Sequence, residues 1–263
     1  MDEFNFFLLG IIQGLTEFLP ISSSGHIEIA KGVLKSSFQT KGLLLTLILH
    51  SATALSTIWV FKKDLLIISQ NFFITSNRII SQNFILNIII SMIPSVLVGF
   101  FLKDLIYSLF NANLLLVGIM LIITGIILFL ADKSKVLSRE ITPFYALIIG
   151  LTQALAILPG ISRSGSTIAI AIFLGINKSE AARFSFLMVI PLIFGSMIKT
   201  IIDYNGFEKI AFSPALLIGF VSAFFTGILA CKWMISLVKK SNLKYFGYYC
   251  LILGTFSLFY GNI

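Results

Sequence analysis

Charge is what this sequence most lacks. Only 11% of its 263 residues are aspartate, glutamate, lysine or arginine, while 57% are hydrophobic. An average soluble domain carries roughly 25% charged residues, and a chain of this size has too much surface to hide so much apolar side chain from water. A soluble globular fold is excluded, and lipid must face much of the chain. Cysteine is nearly absent as well. Cys231 and Cys250 both fall inside apolar runs, too few and too far apart for a disulfide framework or a thiolate metal site, so they read as packing residues. Acidic residues number 11 against 19 basic ones, but no basic stripe with interleaved aromatics is present, which argues against nucleic acid as a partner. The basic residues sit in short loops and read as topology signals and lipid headgroup contacts. A basic amino-terminal region with a small-residue cleavage site is also missing. The chain opens with Asp2 and Glu3, which is unlike a cleavable signal peptide.

What is present is long apolar stretches. About 20 such residues cross a hydrocarbon core as a helix, and six runs reach or approach that length: 43–61, 84–102, 114–131, 184–202, 214–237 and 245–260. Pro94 and Pro191 lie inside two of them and read as packing kinks. Two further regions are interrupted. Residues 4–35 break at Pro20 to Gly25, and residues 143–176 break at Pro159 to Gly165. Each half is too short or too polar at its tip for an ordinary span, so both regions read as re-entrant helical hairpins, tolerated where protein or water satisfies the backbone. They match at an offset of 140, with Gln13 on Gln153, Leu15 on Leu155, Ile21 on Ile161, Ser22 on Ser162, Ser24 on Ser164 and Gly25 on Gly165.

The expectation is an all-α polytopic membrane protein in one domain, residues 1–263, built as an inverted-topology repeat. Repeat one covers about 1–131 and repeat two about 141–263, each a hairpin plus three spans. Loops 62–83, 132–142, 176–183 and 238–244 hold eleven lysines and arginines, against five in 31–42, 103–113 and 203–213. The positive-inside rule puts the first set in the cytoplasm. The first hairpin then enters from outside, the second from the cytoplasm.

Two motifs carry chemistry. In the first, Gln13 and Glu17 are four residues apart and share a helix face. A carboxylate inside an apolar stretch is expensive and marks a pathway or site. Ser22, Ser23, Ser24 and Gly25 then form the break, and His26 stands at the helix start that follows, a position that favours anions. The second motif, Pro159 to Thr167, places Arg163 among Ser162, Ser164, Ser166 and Thr167. A guanidinium presents a planar fork of donors suited to phosphate oxygens, and the hydroxyls suit an oxyanion cradle. Residue types and spacing thus point to a phosphate site within the membrane with acid and base groups beside it. His50 has no motif around it and reads as a packing or loop-edge residue.

Both motifs, together with the stretch from Ala181 to Pro191, resemble the undecaprenyl-diphosphatase family, also called the bacitracin-resistance family. The similarity covers essentially the whole chain. It implies hydrolysis of undecaprenyl diphosphate to undecaprenyl phosphate and inorganic phosphate at the bacterial inner membrane, with the site facing outward. That reaction regenerates the lipid carrier for peptidoglycan and other envelope polymers and removes the target of bacitracin. By position the resemblance makes Glu17, His26, Arg163 and Ser23 catalytic candidates. It makes Ser162, Ser164 and Thr167 phosphate-binding candidates, and the hydroxyls and permissive backbone of the first break add Ser22, Ser24 and Gly25. It also implies a divalent cation, Mg2+ or Ca2+, near Glu17 and Gln13, although Gln13 is neutral where many members have glutamate. His26 is a nucleophile or base, Ser23 the alternative nucleophile, and Glu17 orients His26 or holds the cation. A homodimer is compatible with the sequence and not specified by it. The rival reading is a lipid phosphate transporter or flippase on the same scaffold, which needs the arginine and hydroxyls but no His and Glu as chemical groups.

Overall fold

The computed structural model describes residues 2–34, 42–73, 78–109, 113–134, 137–203, 213–240 and 242–261. Lys35, Lys41, Lys135 and Lys209, which enter the loop-charge comparison, lie outside these residues. Most of the described residues are helical: α1 (Asp2–Phe18), α2 (Ser23–Leu34), α3 (Gly42–Val60), α4 (Lys62–Phe73), α5 (Arg78–Phe101), α6 (Lys103–Leu109), α7 (Leu114–Asp132), α8 (Pro143–Leu155), α9 (Arg163–Phe173), α10 (Lys178–Asp203), α11 (Pro214–Lys239) and α12 (Leu243–Tyr260). Among the described residues the one β feature is an isolated bridge between Arg139 and Ile176.

Each of the two breaks is flanked by a pair of helices. α1 and α2 flank the first break, α8 and α9 the second. The backbone chemistry of each break follows from its residues. Ser22 adopts a left-handed φ of 68°, and its hydroxyl accepts from the Gly25 N–H at 3.1 Å. Ser162 caps α9 in the same way, accepting from the Gly165 N–H at 3.1 Å. Gly160 has a φ of 98° and lies so close to α7 that a Cβ would stand 2.6 Å from the Val117 carbonyl oxygen, so only glycine fits there. Eight of the eleven residues of α9 are buried, so protein surrounds the helix that follows the second break.

The spans differ from the expectation in two places. α5, α7, α10 and α11 are each long and apolar enough to cross a membrane. The run at 43–61 forms α3, 19 residues long, and α4 follows it after a bend of 70°. The run at 245–260 becomes α12, 18 residues long, whose first two turns carry Lys244, Tyr245, Tyr248 and Tyr249 and dilute its apolar character. The region at 62–83 is not simply a loop, because α4 occupies its first half with none of its residues buried. Residues 178–183 likewise belong to α10. Pro94 and Pro191 fall inside α5 and α10.

Helix packing interleaves the two halves. α1 lies along α11, α8 lies along α5, and α7 pairs with α12. Small residues allow the close approach, as is usual between membrane helices. A Cβ on Gly14 would overlap Thr226 Oγ1 and stand 2.6 Å from the Ala223 carbonyl oxygen, whereas one on Gly99 would meet nothing within 4 Å. Gly14→Ala is therefore expected to cost about 1–3 kcal/mol through overpacking. Gly99→Ala should be neutral or slightly stabilising. Thermal unfolding of the two variants in detergent checks this contrast.

Candidate active site

The two breaks meet. A Cβ on Gly25 would stand 3.3 Å from the Gly160 Cα, and one on Gly165 would stand 3.0 Å from the Pro20 Cβ. The Ser164 hydroxyl donates to the Leu19 carbonyl at 3.3 Å. Two helix starts, at Ser23 and at Arg163, thus converge on one region, and helix starts attract anions.

Across this junction, Arg163 Nη2 donates to Glu17 Oε1. The side chains are 16% and 8% exposed, so this ion pair is largely withdrawn from solvent. Neither group would be stable there alone, because a buried unpaired charge costs several kcal/mol. The other carboxylate oxygen, Oε2, accepts from Gln13 Nε2 at 2.9 Å and from the Ser23 hydroxyl at 2.8 Å. Arg163 is held from behind by the Ser185 carbonyl, which accepts from Nη1 at 3.4 Å.

His26 projects from α2 one turn beyond Ser23. Its Nδ1 lies 2.7 Å from the Ser22 carbonyl oxygen. A carbonyl can only accept, so Nδ1 carries the proton. Nε2 of the neutral ring then accepts from the Tyr249 hydroxyl at 2.7 Å. The partner that fixes this tautomer is Ser22, not Glu17, which corrects the expectation that Glu17 could orient His26. Glu17 instead orients Ser23 and Arg163.

The sequence-predicted site residues divide into two groups. Ser22, Ser162, Ser164 and Thr167 are buried and partnered within the protein. Ser22 and Ser162 cap helices, Ser164 reaches Leu19, and Thr167 Oγ1 lies 2.6 Å from Ser185 Oγ and 2.7 Å from the Arg163 carbonyl oxygen. Gly25 lets the two breaks approach. These residues build the cradle. Ser23, Ser24, His26 and Arg163 keep accessible surface and are the ones free to meet a ligand.

Two supporting residues, His50 and Thr124, had no motif signal in the sequence, and a third, Ser185, lies within the Ala181–Pro191 stretch without having been singled out. His50, read as a packing or loop-edge residue, places Nε2 3.7 Å from Glu17 Oε2, with Nδ1 held at 2.7 Å by the Thr46 carbonyl. Thr124 on α7 accepts from the Ser162 N–H at 3.1 Å. Ser185 on α10 backs both Arg163 and Thr167. Each sits in an apolar span, so only the tertiary fold brings it to the site. Glu28, also buried, was passed over as well.

The donor set bears on a cation. Among the described residues no three His, Cys, Asp or Glu side chains form a metal cluster. Gln13 is fully buried, and its Oε1 has no hydrogen-bond partner. That carbonyl oxygen and the Glu17 carboxylate are hard ligands. One carboxylate completed by substrate phosphate oxygens is the usual protein share of a Mg2+ site. The residues therefore fit such an ion.

Comparison with known proteins agrees with the motifs. Residues 6–256 match the family model of the bacitracin resistance protein BacA. An undecaprenyl-diphosphatase of Christiangramia forsetii is 49% identical over 255 residues, covering 97% of this chain and 96% of the relative. Proteins of the same name from Bacteroides fragilis and Methanococcus vannielii are 43% and 40% identical, with at least 96% of each chain covered. With its two hairpin motifs meeting at one buried ion pair and its whole length matched, this chain belongs to the BacA family of multi-pass membrane proteins.

Proposed function

We propose that this protein hydrolyses undecaprenyl diphosphate to undecaprenyl phosphate and inorganic phosphate at the junction of its two hairpins. The observation that carries the reading is the Glu17–Arg163 pair across that junction, with Ser23 and His26 beside it. A phosphate has a guanidinium, two helix starts and accessible hydroxyls to bind. Nδ1 of His26 is held by Ser22, which leaves Nε2, now facing the Tyr249 hydroxyl, as the nitrogen that can act as nucleophile.

The terminal phosphate enters against Arg163, whose fork has N–H groups beyond those given to Glu17 and Ser185. Phosphoryl transfer asks mainly for positioning and charge compensation. Nε2 of His26 attacks the terminal phosphorus. The N–P bond forms as the bridging P–O bond breaks, and undecaprenyl phosphate leaves with the bridging oxygen. Water then cleaves the N–P bond, releasing inorganic phosphate and restoring the imidazole. A divalent cation held by Glu17 and Gln13 would supply further neutralisation of the diphosphate. Ser23 is a second candidate nucleophile, favoured by its 2.8 Å hydrogen bond to Glu17. Trapped phosphoenzyme separates the two, since phosphohistidine is labile in acid and phosphoserine is not.

Cation dependence is tested at Gln13. Chelation should abolish phosphate release, and Mg2+ should restore it. Gln13→Glu adds a second carboxylate, so half-maximal activity should need about tenfold less Mg2+. An unchanged Mg2+ requirement would remove Gln13 from the cation site.

The setting is a bacterial inner membrane with the site open to the outer side, a reading supported by the eleven-to-five asymmetry of basic residues. The inverted repeat is proposed on the offset of 140, on the matching Ser22 and Ser162 caps, and on the reciprocal contacts of Gly25 with Gly160 and Gly165 with Pro20.

A further inference from the structure

Tyr249 comes from the last helix, 223 residues after His26. It lies outside both motifs, yet its hydroxyl sits 2.7 Å from the Nε2 assigned to the chemistry. The two rings are nearly coplanar in orientation, with an interplanar angle of 4°. The next residue fixes the helix against the same break, since the Cys250 thiol donates to the Pro20 carbonyl at 3.6 Å. Tyr249 is 43% exposed, so the contact lies on the accessible side of His26. A lone pair on Nε2 cannot accept this hydroxyl and attack phosphorus at once. The hydroxyl must therefore leave when substrate enters. It then stands within hydrogen-bond reach of whatever replaces it, which is a phosphate group.

We propose that Tyr249 is a further member of the active site: its hydroxyl caps Nε2 of His26 in the free protein and transfers its hydrogen bond to a phosphate oxygen of the bound diphosphate. The inference rests on His26 acting through Nε2. Its energetic logic is an exchange. Binding replaces an O–H···N bond by an O–H···O bond to an anion, so ground-state affinity changes little. The new bond strengthens as charge shifts among the phosphate oxygens during transfer, so the benefit falls on turnover.

Tyr249→Phe keeps the ring and removes only the hydroxyl. The purified full chain in detergent is treated with diethyl pyrocarbonate, and carbethoxylation is mapped by mass spectrometry at His26. His50, the only other histidine, serves as reference. Steady-state phosphate release from undecaprenyl diphosphate is measured alongside. In the variant, His26 should react about fivefold faster relative to His50, because one hydrogen bond no longer protects it. Turnover, kcat, should fall about tenfold with KM within about twofold. Tyr249→His, which returns an N–H donor on a ring, should recover part of both effects. Unchanged His26 reactivity, a wild-type kcat, or equal acceleration at both histidines with a lowered melting temperature would overturn the proposal. If wild type itself released no phosphate, the assigned reaction would fail. The modification contrast on the free protein would still report on the cap.

Discussion

Arg163→Ala should release phosphate about 10³-fold or more slowly than wild type, the lower end of what removing an arginine from a phosphoryl-transfer site costs. Two effects act together. The terminal phosphate loses its planar fork of donors, and Glu17 loses the partner that neutralises it in a site where its side chain is 8% exposed. Breaking a buried pair from one side typically costs about 3–5 kcal/mol of stability. Here Gln13, Ser23 and the nearby His50 still face the carboxylate, which places the loss toward the lower end. Arg163→Lys separates charge from geometry. It keeps a cation opposite Glu17 but presents a point charge rather than a fork, so stability should recover more fully than turnover. Steady-state phosphate release and thermal unfolding on the same preparations read the two effects independently. Equal recovery of both by lysine would mean that Arg163 contributes charge alone.

His26→Ala should lower kcat by about 10⁴-fold while leaving the fold intact. The side chain is only half-buried, and its hydrogen bonds to Ser22 and Tyr249 contribute about 1 kcal/mol each, so the protein should still purify as a monodisperse species. Ser23→Ala should cost less, because it removes a donor to Glu17 and leaves the imidazole in place. A His26→Ala protein with near-normal turnover, beside an inactive Ser23→Ala protein, would move the nucleophile to Ser23.

The parts of the site that could be read from sequence were those where polarity is most expensive. Glu17 and Arg163 stand out because ionisable groups in apolar stretches need a reason. The breaks stand out because Pro, Gly and Ser interrupt otherwise continuous runs. The offset of 140 gave both hairpins at once, and the helices on either side of each break fall within a few residues of the expected limits. His50, Thr124, Ser185 and Tyr249 were not legible. Each is a single polar residue in a span, and hydroxyls there usually bond their own helix, as Thr226 does to Ser222 at 2.6 Å. Nothing local distinguishes a hydroxyl that reaches another helix from one that does not. The bend between α3 and α4 was hidden for a related reason. Hydropathy continues past Phe61 into Leu65, Leu66, Ile67 and Ile68, and composition does not record a change of direction. The tyrosines of α12 carried no sign of a site, although one of them faces His26.

The division of labour between the hairpins follows from the same offset of 140. Position 17 of the first hairpin is Glu where its counterpart is Ile157, and position 163 of the second is Arg where its counterpart is Ser23. Each half therefore supplies one charge, and neither half alone can hold its charge in the membrane.

The most direct measurement is inorganic phosphate release from undecaprenyl diphosphate by purified protein with Mg2+, wild type beside Arg163→Ala and Glu17→Gln. Release by wild type that collapses in both variants is the predicted result, because the site needs one charge from each hairpin. Release that persists in either variant would place the chemistry elsewhere. No release from well-folded wild type would contradict the hydrolase reading and leave lipid transport on this scaffold as the account to pursue.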